Sequence, residues 1–115
     1  MENKVLIIIL IICLFSYYEY CYSQAFFIYE DALEYFNGTN GKEKSYEKAF
    51  FLFNKSAQMG CPDAQFMLFK CYSQGLGARQ SDKKAMRWCK KAAKQGYAQA
   101  QHTLGFNFFF GIGCK

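Results

Sequence analysis

Residues 46–79, laid over residues 82–115 by a shift of 36, match at ten of 34 positions without a gap. Ordinary residue frequencies would give about two or three matches. The identities are Lys48/Lys84, Ala49/Ala85, Lys55/Lys91, Ala57/Ala93, Gly60/Gly96, Ala64/Ala100, Gln65/Gln101, Leu68/Leu104, Gly75/Gly111 and Gly77/Gly113. A unit of this length cannot bury its own apolar side, so neighbouring units must stack. Further back, Gly41 aligns with Gly77 and Phe36 with Tyr72. The expected division is a degenerate half-repeat at 26–44, one unit at 45–80 and another at 81–115.

Each unit reads as two helices. In 81–95, Ala85, Trp88, Cys89, Ala92 and Ala93 fall at the spacing of one buried helical face. Ser81 suits an N-cap, Asp82 the first turn and Gly96 the stop. In 62–74, Pro62 suits the first helical position, and Ala64, Met67, Leu68, Cys71 and Tyr72 form the stripe. Gly75 and Gly77 open the turn to the next helix. One proline in 115 residues fits such uninterrupted helices. The sequence predicts an all-α fold, antiparallel helix pairs stacked as a short right-handed solenoid.

The N-terminus is different in kind. Val5 to Phe15 is an unbroken apolar run after a polar start with Lys4. Eleven residues make a helix of about 16 Å, short of a hydrocarbon core of roughly 30 Å. That length fits a signal peptide over 1–25, with cleavage after Ala25 or Ser23. The rival is an uncleaved anchor extended by Tyr17, Tyr18 and Tyr20. Contact with a membrane is expected only on that rival. Export would place the chain in a secreted, periplasmic or endoplasmic-reticulum-lumen compartment, which disfavours nucleic acid as a partner and permits disulfides.

The motif A-x-x-x-L-x-x-x-Y-x-x-G-x-G, then K-A-x-x-W-x-x-K-A-A-x-x-G, is supplied by Ala64, Leu68, Tyr72, Gly75, Gly77, Lys84, Ala85, Trp88, Lys91, Ala92, Ala93 and Gly96. It resembles the Sel-one-like repeat, a relative of the tetratricopeptide repeat. The second copy continues with Ala100, Leu104, Gly105, Phe108, Gly111 and Gly113. Phe69 stands where that family usually has glycine, and Leu52 where it has tryptophan. The resemblance implies an α/α solenoid serving as a protein-binding adaptor, with no cofactor and no catalysis of its own. A cysteine-rich branch resembling this family binds or hydrolyses β-lactams, which supplies an alternative, a protein that binds or hydrolyses β-lactams or cell-wall peptides. A third reading is a fragment of a longer array, since Lys115 falls where another helix would begin. The open last helix there would favour self-association.

On such arrays the concave face binds partners. Here it is expected to include Gln65, Phe66, Phe69, Ser73, Gln101, His102 and Phe109. Ser45-x-x-Lys48 and Ser81-x-x-Lys84 match the nucleophile motif of penicillin-interacting enzymes. Both lie at the helix-cap position of the repeat, however, where the serine oxygen is spent on a backbone N–H. His102, the single histidine, has no acidic residue three or four positions away. Without C-x-x-C spacing, no metal site is expected.

Residues 61–115 hold nine basic and two acidic side chains. Lys83, Arg87, Lys90 and Lys94 form a basic stripe on one helix, open to anionic lipid, cell-wall polymer or an acidic partner, or to solvent alone. Cys71 and Cys89 are nearly symmetric about the Gly77–Gln80 turn and are expected to form a disulfide. Cys61 and Cys114 are expected to stay unpaired within the chain.

Overall fold

The computed structural model describes residues 2–109. These form five helices: α1 Glu2–Asn37, α2 Tyr46–Gln58, α3 Pro62–Gln74, α4 Asp82–Lys94 and α5 Ala98–Phe109. No strand occurs among the described residues. Phe110, Gly111, Gly113 and Cys114 lie outside them, as does the Phe108 side chain.

The repeat is visible in the caps. Ser45 Oγ accepts from the Lys48 amide at 3.2 Å, and 36 residues on Ser81 Oγ accepts from Lys84 at 3.3 Å. The Gly60 amide donates to the Ala57 carbonyl and that of Gly96 to Ala93, both at 3.0 Å. Consecutive helices pack on one another, and α1 also reaches α3. One core cluster gathers Ala32 of α1, Ala49, Phe53 and Ala57 of α2, and Ala64, Leu68 and Cys71 of α3. A second joins Phe66 to Cys89, Ala92 and Ala100. The alanines let helices approach, and Phe53 and Leu68, both fully buried, fill the layer between them.

The α3 stripe is wider than its spacing predicts. Gln65 and Phe66 are buried as well as Ala64, Met67, Leu68 and Cys71. This helix is enclosed by α1, α2 and α4, so more than one side is covered.

The helix α1 runs unbroken through both expected cleavage points, Ser23 and Ala25. The reason lies one period before the later turns. Where those turns have Gly60 or Gly96 and then Pro62, this segment has Gln24 and Phe26. Neither stops a helix. Ala25 is fully buried and its carbonyl accepts the Ser56 hydroxyl at 2.5 Å. Tyr29, Ala32, Leu33 and Phe36 continue that stripe down α1.

Gly77 has φ +73° and packs so closely that a Cβ would strike the Tyr46 carbonyl, whereas Gly96, at φ +87°, faces open space. Gly96→Ala should therefore cost only the left-handed strain, about 1–2 kcal/mol. Gly77→Ala should cost clearly more, because the α3–α4 turn must also withdraw from α2. Urea unfolding of the two variants checks the order.

Candidate functional site

A groove of about 520 Å³ runs between α3 and α5, lined by Phe66, Lys70, Ala98, Gln99, His102 and Thr103. Phe66 and His102 hold the same repeat position, so stacking places them across from each other. The Phe66 ring stacks on Phe69 with centroids 5.4 Å apart and tilts against Tyr97 at 5.3 Å. Lys70, one turn on, sets its Nζ 5.3 Å from the Phe66 ring centre. The Tyr97 hydroxyl donates to Gln99 Oε1 at 3.3 Å. Burial, then the Asp63 carboxylate nearby, raises the Tyr97 pKa above the usual tyrosine value, so the phenol stays neutral. The result is an aromatic floor with a rim of amide, hydroxyl, imidazole and ammonium groups.

The expected face residues divide into two kinds. His102 is exposed and lines the groove, Phe66 forms its buried floor, and Phe69 is half-buried behind that ring. Gln65, expected to be accessible, is instead 5% exposed. Its Nε2 donates to the Ala57 carbonyl at 3.1 Å, and its Oε1 accepts from Gln95 Nε2 at 2.8 Å. Gln101 is exposed, yet it donates to the Ala93 carbonyl at 3.1 Å, the same bond one period later. These two glutamines therefore brace the helices. Their recurrence together with Ala57 and Ala93 was the signal for that role. Ser73 turns its hydroxyl back to the Lys70 carbonyl at 3.2 Å. Phe109 is 82% exposed near the end of α5, outside the groove lining. Lys70, Tyr97, Gln99 and Thr103 were missed, though each lies within one or two turns of Phe66 or His102.

The expected Cys71–Cys89 bridge is absent, and both are free thiols. Cys71 belongs to the cluster with Phe53 and Leu68, whereas Cys89 faces α5 and donates to the Ala100 carbonyl at 3.4 Å. An interior helix has two inward sides, so symmetric spacing about a turn did not make the thiols face each other. Cys61 is also a buried free thiol. Burial pushes the Cys71 thiol up to about 11 and raises Cys61 and Cys89.

The S-x-x-K serines cap α2 and α4, and their lysines lie over rings, Lys48 at 5.5 Å from Tyr35 and Lys84 at 5.7 Å from Tyr72. Lys83, Arg87, Lys90 and Lys94 are exposed on α4. Among the described residues no group of His, Cys, Asp and Glu side chains comes together that could hold a metal.

Stacked helix pairs with a groove across alternate helices define the class as an α/α repeat solenoid. The Sel1 repeat model matches residues 16–61 and 62–97. The chain belongs to the Sel1 repeat family. It is 31% identical over 90 residues to the chitin synthase regulator SKT5 of Saccharomyces cerevisiae, covering 78% of this chain and 12% of that protein. Against the Schizosaccharomyces pombe chitin synthase regulatory factor 1 it is 30% identical over 82 residues, 70% of this chain and 18% of that protein. The chain thus spans less than a fifth of these relatives. A solved Sel1 repeat protein from Oxalobacter formigenes superposes with a TM-score of 0.69 at 31% identity, over 83% of this chain and 76% of that one. A protective antigen of uropathogenic Escherichia coli displaying an SLR fold gives 0.71 at 32% identity, over 75% and 18%.

Replacing Gln65 with leucine should cost about 1–2 kcal/mol through the loss of its two side-chain hydrogen bonds, while the exposed Gln101→Leu, which loses one, should cost under about 1 kcal/mol. Both are read from urea midpoints. A second expectation concerns pH. With its folded pKa raised, Cys71 contributes stability that is complete below the unfolded thiol pKa of about 8.5 and lost as pH rises through about 11. Iodoacetamide at pH 8 should leave Cys71 unmodified in the native chain while labelling it fully in urea, as peptide mapping would show.

Proposed function

We propose that the chain is a protein-interaction scaffold that holds a segment of a partner protein in the α3–α5 groove and catalyses nothing itself. The supporting observation is the groove's make-up, a floor formed by the Phe66 ring, which Phe69 and Tyr97 back, under a rim carrying Lys70 and His102. Such a cleft suits an extended segment with an apolar or aromatic anchor and an acidic neighbour. The surplus of basic side chains after residue 60 would help attract it. The fungal relatives are named as regulators of chitin synthase, which supports an adaptor role in which a repeat array holds another protein. With the N-terminal stretch directing export, that partner would be an exported protein or the exposed part of a membrane protein.

The rival hydrolytic reading needs a free serine, and the S-x-x-K serines accept backbone amides instead. A chromogenic β-lactam assay should give no turnover above a buffer blank.

Peptide libraries panned against the purified chain should return ligands with an acidic residue beside an apolar anchor. Lys70→Glu and His102→Ala should each weaken the selected peptide about 5- to 10-fold, the loss of roughly 1 kcal/mol per contact. Lys90→Glu, on the outer face of α4, should change binding by less than about twofold. Fluorescence anisotropy reads all three. Affinity indifferent to Lys70 and His102 would move the binding site elsewhere.

A further inference from the structure

We propose that α1 is an uncleaved membrane anchor, crossing a lipid bilayer with its start on the cytosolic side and the repeats on the opposite side.

The first observation is how α1 meets the rest of the molecule. Its buried residues are Ala25 and Ala32, and both sit in the repeat core. Cleavage after Ala25 would remove the carbonyl that Ser56 holds, and cleavage after Ser23 would leave Ala25 at a frayed, charged terminus inside a packed contact. Both points lie inside a continuous helix, whereas a peptidase acts on extended backbone.

The second observation is the uniform exposure of the apolar part. From Val5 to Ile12, and at Leu14 and Phe15, every side chain is between 49% and 66% exposed. No face is covered and none is polar. A helix that is apolar all round belongs in a core or in lipid. The repeats do not cover it, since the core clusters begin at Ala25. A groove on a protein partner would take one face and leave the others in water; hydrocarbon takes all of them.

The third is length. Unbroken, the helix from Val5 to Tyr22 rises about 27 Å; its last turn and a half, Tyr17 to Tyr22 with Glu19, belongs to the interface, so a hydrocarbon core of roughly 30 Å must thin locally to match the apolar part. The eleven-residue run alone fell short because it omitted the turns that α1 adds. Tyr17, Tyr18, Tyr20 and Tyr22 gather at the far end, where amphipathic rings favour the headgroup level.

Orientation follows from the basic residues near the two ends of the span. Lys4 precedes it, and after Tyr22 the next basic residue is Lys42, with Glu30, Asp31 and Glu34 in between. The lysine-and-arginine bias places the Lys4 side in the cytosol.

The test translates the full chain, tagged at its C-terminus, with translocation-competent vesicles that contain signal peptidase, from bacterial inner membrane and from endoplasmic reticulum in parallel. The expected product in at least one preparation keeps residues 1–25 by mass, stays in the pellet after alkaline carbonate and has its tag protected from added protease. Processing after Ser23 or Ala25, or release by carbonate in both preparations, would overturn the anchor. A membrane-bound chain whose tag is digested would overturn the orientation. The variant carrying Ile8→Asp and Ile11→Asp alters residues outside both core clusters, so its repeats should keep their helical circular dichroism while the chain moves to the carbonate supernatant. Retention of that variant in the pellet would overturn the bilayer as the occupant.

Discussion

The side-chain amide of Gln65 reaches back across a helix turn to the Ala57 carbonyl and is itself held by Gln95 from the end of α4. The Ala57 carbonyl already accepts the Gly60 amide, and a side-chain amide placed eight residues later takes its second lone pair and fixes the next helix against the one before. Because Gln101 makes the same bond to Ala93, the angle between consecutive helices is set by the same bond twice. Much else rests on that constancy. Stacking with a repeated angle carries Phe66 and His102, at equivalent positions, to opposite walls of one groove. Without it the two would be merely 36 residues apart in sequence.

The same bond shows why the fold was more legible than the site. Period, small residues and glycine stops are local properties of the string, and they locate α3 and α4 to within a residue at each end. Whether a recurring polar residue faces a ligand or a neighbouring carbonyl depends on the interhelical angle, which the string does not state. Gln65 and Gln101 therefore read as surface residues in the string, although the repeat itself couples them to Ala57 and Ala93. The cysteines misled for a related reason. Spacing about a turn fixes distance along two helices, yet Cys71 and Cys89 point to different neighbours, and rotation about each helix axis decides that.

In α1 the departure from the repeat is the informative part. Gln24 and Phe26 stand at positions that are glycine and proline in the later turn, and their helix-compatible backbones convert what would be a turn into a rod. The stripe of Ala25, Tyr29, Ala32 and Phe36 is then rigidly continuous with an apolar segment that no other described element covers. A reading of the first fifteen residues by themselves gives a short apolar run. Read as part of a helix already anchored by Ser56, the run gains its missing length.

That continuity also couples the two functional ideas. A glycine-containing linker between a membrane segment and the repeats would let the groove sample every orientation. An uninterrupted helix does not: turning α1 about its axis turns the α1–α2 contact and, through Gln65, everything stacked on it. The groove between α3 and α5 would then be presented at one fixed attitude to the membrane. Partners whose segments emerge at that height and angle would be favoured over equally complementary segments free in solution, because less orientational freedom is lost when both are held. For a groove of this modest size, with one aromatic floor and a few polar groups, such pre-orientation would add to the selectivity that the contacts supply.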